Sequence, residues 1–208
     1  MIPWVPEEQR HFFFQVALRD PRVLHCHFIH WIDKAYLRQH PHSSPIRRHP
    51  SLYNIWDSRS EGLATAFEEM MMNAGMFADT PRSRELVYIM IAMRAARAIA
   101  GLRVQSNEWS VDEATRFASS ATPRGWFRAE GNLVLGEQQL YLRQPGYGTS
   151  YLTGKTLIDA LIAERSQQVG DAFTLQGFMT ELFATGMVPV SLGRWELTGH
   201  RDWLPAAD

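Results

Sequence analysis

The chain has 208 residues and a single cysteine, Cys26, so no internal disulfide can form and the fold must rest on its packed core. Lysine is almost missing: Lys34 and Lys155 are the only two among 21 basic residues, a bias toward arginine that high-GC genomes produce. The formal net charge is −1 and no block of basic residues occurs, which argues against a nucleic-acid partner. Long apolar runs are also lacking. The strongest, Leu86 to Ala100, is interrupted by Arg94 and Arg97 and is too short to span a bilayer. The first residues, MIPWVPEEQR, carry acid where a signal peptide needs base, so a cytoplasmic protein is expected. No internal repeat, low-complexity segment or pair of alternating strands is present, and the expected fold is therefore all-α.

Helical patterns occupy most of the chain. Residues 7–18 suit a short helix with a phenylalanine-rich face, and residues 22–39 place Val23, Phe28, Ile32, Tyr36 and Leu37 at helical spacing. Pro41 to Ser58 reads as a long loop pinned by Tyr53, Ile55 and Trp56. Ser58-Arg-Ser-Glu61 has the form of a capping box for a helix running to about Met76, and Thr80-Pro81 starts the longest and most central helix, to Gln105. A second capping box at Ser110 opens a short helix through Ala118, followed by a linker at 121–125 and a helix over 126–142. After the turn Pro145-Gly-Tyr-Gly148 come helices over 150–169 and from 171 or 174 to 184, a loop at 187–192 and a polar tail. One helical domain over 1–208 is expected, with an N-terminal helix and linker (1–21), a core (22–192) and a tail (193–208).

Chemistry concentrates between Leu24 and Glu69, which hold Cys26 and six of the eight histidines. His25, His27 and His30 fall within six residues and are followed by Asp57, Glu61, Glu68 and Glu69. Two histidines and one glutamate form a common ligand set for a divalent metal. On a regular helix His27 and His30 share a face, whereas His25 and His30, five apart, diverge. Glu61 and Glu68, seven apart, share a face too, and a shared pocket would raise the pKa of one of them, supplying an acid and a base without any metal. Glu61 can instead return to its own helix cap, and Glu68-Glu69 can be solvated. Cys26 fits an inert core thiol better than a nucleophile. Trp31, Trp56 and Tyr53 can line an apolar pocket or pin the loop.

The order of LHCHFIHW, RQHP, PIRR, the Glu61-Gly-Leu-Ala segment, Pro145-Gly146 and Tyr151 with Gly154 resembles the C-terminal part of a bacterial family, domain of unknown function 885. Its members carry zinc-peptidase signatures of the forms HExxPGHH, EGWALYAE, DtGxH and PGQxxxYxxG, after a large helical portion that has no counterpart in this chain. By that resemblance His25 and His30 match the signature histidines, with His27 as the alternative to His25. Glu61 and Glu68 match the first and last glutamates of EGWALYAE, and Tyr151 and Gly154 match the tyrosine and glycine after PG. The resemblance thus implies a zincin-like relative with a metal set of His25 or His27, His30 and Glu61, and catalytic roles for Glu61, Glu68, Tyr151 and His30.

Other positions depart from the pattern. The general-base glutamate is Cys26, the DtGxH pair falls on Gly101 and Gln105, an arginine falls on Leu140 beside a retained Tyr141, and a later histidine falls on Met179. A general base supplies about 10²–10⁴ in rate, so ordinary zinc-peptidase activity is not expected. The expectation is an enzyme acting on a small molecule through a Glu/His/Tyr pocket, with zinc, another divalent metal or none. A natural-product tailoring step fits, either hydrolysis or an intramolecular ring closure such as aziridine formation; the alternative is an inactive scaffold or binding subunit. The missing helical portion implies a homo-oligomer or a separately encoded partner covering the exposed apolar surface.

Overall fold

The computed structural model describes residues 15–16, 19–48, 57–122, 126–128 and 132–203, which are all-α. Its helices are α1 (Arg22–His27), α2 (Ile29–Gln39), α3 (Pro45–Arg48), α4 (Asp57–Asn73), α5 (Pro81–Gln105), α6 (Val111–Ser120), α7 (Asn132–Arg143), α8 (Tyr147–Val169), α9 (Leu175–Ala184) and α10 (Val190–Thr198), with a 3₁₀ turn at Gly170–Ala172.

Helix α4 is the axis of the fold. Its small residues, Ser60, Gly62, Ala64, Thr65 and Ala66, leave no room for a solvated side, and every residue from Arg59 to Ala66 is buried. It packs most extensively on α8, and Gly62 and Gly154 set the spacing. A methyl group on Gly62 would lie 2.3 Å from the Gly154 Cα, and one on Gly154 would lie 2.0 Å from the Ser58 carbonyl oxygen. Backbone therefore meets backbone, which only glycine permits. A buried arginine fixes the other side of α4: Arg59 donates to both Asp33 oxygens (2.8 and 3.4 Å) on α2 and to the Leu182 carbonyl (3.0 Å) on α9. Leu63, Ala66, Ile158, Leu161, Phe178 and Leu182 complete this half of the core.

The second core lies across α5, α6 and α7, built on Met90, Met93, Ala100, Val104, Ala118 and Val134. A smaller one joins α1 to the start of α5 through Val23, Cys26, Met72, Phe77 and Val87. The polar residues of α1, α4, α5 and α8 meet where these cores adjoin, so the site is assembled by helices whose spacing is fixed by packing.

Several boundaries differ from the expected ones. The helix over 22–39 is interrupted at Phe28 (φ −68°, ψ −2°), a 3₁₀-like step that divides α1 from α2. The 41–58 loop contains α3, and Tyr53, Ile55 and Trp56 lie outside the described residues, as does most of the 7–18 helix. Helix α4 begins at Asp57, so Ser58 stands inside its first turn, while the capping box at Ser110 forms with Glu113 as expected. Residues 126–128 are not helical and α7 starts at Asn132. Helix α8 starts at Tyr147 because Gly146, at φ 87°, makes the left-handed turn that launches it. The 187–192 loop ends at Val190, and the tail is helical to Thr198. Nor is the tail merely polar: Trp203 packs on the core and stacks 4.2 Å from the buried Arg194 guanidinium, which Glu164 also holds.

The glycine contact gives a direct test. Gly62→Ala or Gly154→Ala should cost about 3 kcal/mol or more, or prevent folding, because the two backbones must separate. Gly136→Ala, on α7 with open space around its Cα, should instead stabilise by roughly 0.5–1 kcal/mol. Urea titration of the three variants reads both effects.

Candidate functional site

The step at Phe28 decides which histidines meet. His27 at the end of α1 and His30 at the start of α2 bring their rings to 5.1 Å, while His25 is exposed and turned toward the Phe28 ring at 6.4 Å. His27, His30 and Glu61 each offer one ligand atom, and the three atoms lie within 4.8 Å of one another. The structure thus brings together the alternative member of the expected ligand set; His25 stands outside it, because its position on α1 faces solvent.

Hydrogen bonds commit one nitrogen of each histidine. His27 Nδ1 lies 2.9 Å from Glu68 Oε1, and His30 Nδ1 lies 2.6 Å from the His27 carbonyl. A carbonyl only accepts, so His30 Nδ1 carries its proton and Nε2 is left as the available electron pair. His27 Nδ1 lies between Glu68 Oε1 at 2.9 Å and Arg94 Nη2 at 3.2 Å; because Arg94 spends its shorter 2.7 Å bond on the same Glu68 oxygen, the ionised carboxylate places a proton on His27 Nδ1 and leaves His27 Nε2 3.6 Å from Glu61 Oε2. That carboxylate oxygen is buried and has no hydrogen-bond partner, while Glu61 Oε1 accepts from Tyr147 Oη at 2.7 Å. Two ring nitrogens, one unpartnered carboxylate oxygen and a carboxylate behind one histidine form a donor set that fits a divalent cation.

Glu68 is fully buried, and Arg94 on α5 grips it with two 2.7 Å bonds. This is the fork-to-fork pairing that holds a carboxylate ionised and in one orientation. Glu68 is therefore not available for proton transfer to a substrate; it orients His27. Nor is either glutamate held as a neutral acid, contrary to the expectation from a shared pocket. Burial alone would raise both, but the His27 imidazole lies between them, and Glu61 is brought down to about 2 while Glu68 is lowered by Arg94 and His27. His27 is raised despite burial, because the two carboxylates beside it, Glu61 and the hydrogen-bonded Glu68, favour its protonated form. Burial lowers His30, keeping it a neutral imidazole.

The helix-cap role for Glu61 is not formed, since its oxygens face Tyr147 and His27. Glu69 turns the other way, to Lys155. Tyr151 presents its ring to the Arg94 and Arg97 guanidinium groups at 5.7 and 5.6 Å and its edge to Tyr147. Cys26 is buried, with its thiol pushed up to about 11 by burial and its sulfur 3.6 Å from Met76 Sδ, an inert environment. Gly101 lies under the Tyr141 ring, Gln105 donates to the Tyr141 carbonyl (2.8 Å), and Met179 is in the core. Trp31 is exposed and stacks on Phe28.

Two residues escaped the sequence reading of catalytic roles. Tyr147 is four before Tyr151 and directly after Pro145-Gly146, a spacing that places both phenols on one face of α8. Asp57, one turn before Glu61 on α4, is half-buried, and burial with the Glu61 charge raises it to about 7. Its i, i+4 relation to Glu61 was the available signal.

Residues 30–195 match the family model described as "Bacterial protein of unknown function (DUF885)". The chain belongs to that family. The matched segment begins at His30, so His27 precedes it. A crystal structure described as that of a "putative lipoprotein" from Colwellia psychrerythraea has a similar fold, with a TM-score of 0.61 and 22% sequence identity over 76% of this chain. This chain spans 25% of that protein's length. No functionally curated protein matches.

The charges define a pH profile for the chelator-treated protein. Glu61, lowered from 4.5, contributes stability that is present above pH 4.5 and lost as pH falls toward 2. His27, raised from 6.5, contributes stability that is complete below pH 6.5 and lost as pH rises through its folded value; Asp57, raised from 3.8, adds a loss through about pH 7. Thermal melting with EDTA should therefore peak between about pH 4.5 and 6.5, and the increment produced by added zinc should grow above pH 6.5, since the cation competes with the His27 proton. A melting temperature that climbs steadily to pH 8 in EDTA would contradict the assignment.

Proposed function

We propose that this protein is an enzyme that processes a small molecule beside His27 and Tyr151, on a peptidase-like scaffold from which the usual general base is gone. The observation that carries this reading is the buried, ionised Glu61, with one oxygen held by Tyr147 and the other unpartnered opposite two histidines. Burial of an unpartnered carboxylate oxygen costs stability, and functional sites are where such costs persist.

Each residue has a defined role. Glu68 and Arg94 fix the His27 ring, and the His27 carbonyl fixes His30. Tyr147 holds Glu61 in one rotamer. Asp57, with a pKa near 7, is the group matched to taking up and returning a proton at neutral pH. Tyr151, raised to about 12 mainly by burial, remains a phenol and donates a hydrogen bond to a developing oxyanion. His27, His30 and Glu61 would hold a divalent cation, which supplies Lewis-acid polarisation of a substrate oxygen.

This set suits hydrolysis, and it equally suits closure of a strained ring such as an aziridine, in which an amine loses its proton to a carboxylate as it displaces a leaving group on the adjacent carbon. A natural-product tailoring step in the cytoplasm is the setting we assign, and among the described residues no helix is long and apolar enough to cross a membrane. A second copy or a separately encoded chain completes the assembly; the exposed Trp31 and Ile32 on α2 and Ile99 and Leu102 on α5 support that reading.

Elemental analysis of the purified chain should find a near-stoichiometric divalent metal, and His30→Ala should remove it. Two probe classes then separate the reactions: amino-acid p-nitroanilides report hydrolysis, and β-chloroamines report ring closure above the uncatalysed rate, read by mass spectrometry. Glu61→Gln should lower the active reaction at least 100-fold, and Asp57→Asn should abolish the rate change near pH 7. Asp57→Asn should also stabilise the fold at pH 8 by roughly 1–2 kcal/mol after allowance for its partial exposure. Full activity in Glu61→Gln would leave an inactive scaffold or binding subunit as the better reading.

A further inference from the structure

A cavity of about 160 Å³ opens beside the site, between α5, α7 and α8. Its apolar wall is Met90, Met93, Phe127 and Leu133; His27, Arg94 and Tyr151 border the catalytic side, and Arg97 joins Tyr151 to Glu137 along the same rim. The polar atoms here are unevenly satisfied. Arg97 is ion-paired with Glu137, and its guanidinium carbon lies 5.6 Å from the centroids of both the Phe127 and the Tyr151 rings. Its positive charge is thus already balanced by a carboxylate. Arg94 is spent on Glu68. Both arginines therefore already face a carboxylate.

The acceptors are in the opposite condition. Glu137 gives one oxygen to Arg97, and its other, Oε2, is buried without a hydrogen-bond partner. One turn further along α7, Tyr141 is 2% exposed and its hydroxyl also has no partner. Leaving a buried acceptor unpaired is unfavourable, and a ligand N–H brought to Glu137 in the cavity removes that cost. The terminal torsion of a glutamate is broad, so Glu137 can turn Oε2 onto a ligand in the cavity without leaving its rotamer.

We infer that this cavity is the substrate's specificity subsite, and that it selects a compact apolar group carrying an amine or amide nitrogen, whose N–H is received by Glu137 while the apolar part lies against Met90, Met93, Phe127 and Leu133. The inference deepens the enzymatic reading above, since the nitrogen would sit beside His27 and Tyr151. Binding at the subsite, however, needs neither turnover nor a metal. A carboxylate of the same shape is disfavoured, because Arg94 and Arg97 at the cavity each face a carboxylate already.

The test uses fragments. Isopentylamine and isovaleramide are the nitrogen-bearing probes and isovalerate the isosteric anion, with binding to the full chain in EDTA followed by ligand-observed NMR. The wild-type protein should bind the first two at least tenfold more tightly than isovalerate. Glu137→Gln frees Arg97 and should reverse the order, weakening isopentylamine about tenfold and admitting isovalerate. Leu133→Trp, which fills the cavity and leaves the ion pair intact, should abolish binding of all three, and this second variant keeps the test decisive if Glu137→Gln fails to fold. Glu61→Gln should bind the fragments as the wild type does, so a failure of the catalytic reading is seen separately. Isovalerate binding as tight as isopentylamine, or binding unchanged in Leu133→Trp, would overturn the inference.

Discussion

The approach of α4 to α8 at Gly62 and Gly154 is the contact on which the rest depends. Because the two backbones touch there, Glu61, the neighbour of Gly62, lies within 2.7 Å of Tyr147, two turns before Gly154. Any side chain at either glycine would push these helices apart and carry the phenol away from the carboxylate. The same crossing leaves α4 buried along most of its length, and so its charged residues must each find a fixed partner. Arg59 does so with Asp33, Glu68 with Arg94 and His27, and Glu61 with Tyr147 and His27.

What results is a chain of opposite charges, Arg94 to Glu68 to His27 to Glu61, passing from α5 through α4 and α1 and back to α4. Each member sets the state of the next. Arg94 keeps Glu68 ionised, Glu68 directs the His27 proton to Nδ1, and His27 Nε2 is thereby left facing an oxygen of Glu61 that nothing else satisfies. The pKa directions follow from this order: two buried carboxyls are held low and the histidine between them is held high. Asp57, outside the chain but near Glu61, feels burial and the like charge, which outweigh the pull of Lys34, and it rises to about 7. Neighbouring carboxylates are thus driven apart in pKa by which of them has a cation beside it.

Much of this was legible in the amino-acid pattern. The all-α fold, the long helix begun by Thr80-Pro81 and the Ser110 capping box follow from local spacing, whereas the pairing of His30 with Glu61 came from the family resemblance; the axis of the fold is α4 and not the Thr80-Pro81 helix. The choice between His25 and His27 followed from neither, because the family pattern and the regular-helix geometry favoured different residues, and a one-residue step at Phe28 settled which face each presented. The fate of Glu68 was hidden for another reason. Its partner, Arg94, is 26 residues away on a helix whose apolar pattern marked it only as buried, and no local signal says which buried arginine meets which carboxylate. Tyr147 was read as part of a turn, since the left-handed Gly146 that starts α8 there is a backbone property the residue type permits but does not require.

The neighbouring solved structure, at 22% identity, shares the fold and brings no role to this chain. The functional account therefore rests on the arrangement of protons and electron pairs around Glu61. It is examined most directly by long-range ¹⁵N–¹H correlation spectra of the histidine rings in chelator-treated protein, at a pH above the His27 titration. The account predicts that His27 and His30 are both neutral with the proton on Nδ1, and that both Nε2 resonances shift when zinc is added. A proton on Nε2 of either ring, or Nε2 resonances that zinc leaves in place, would contradict it.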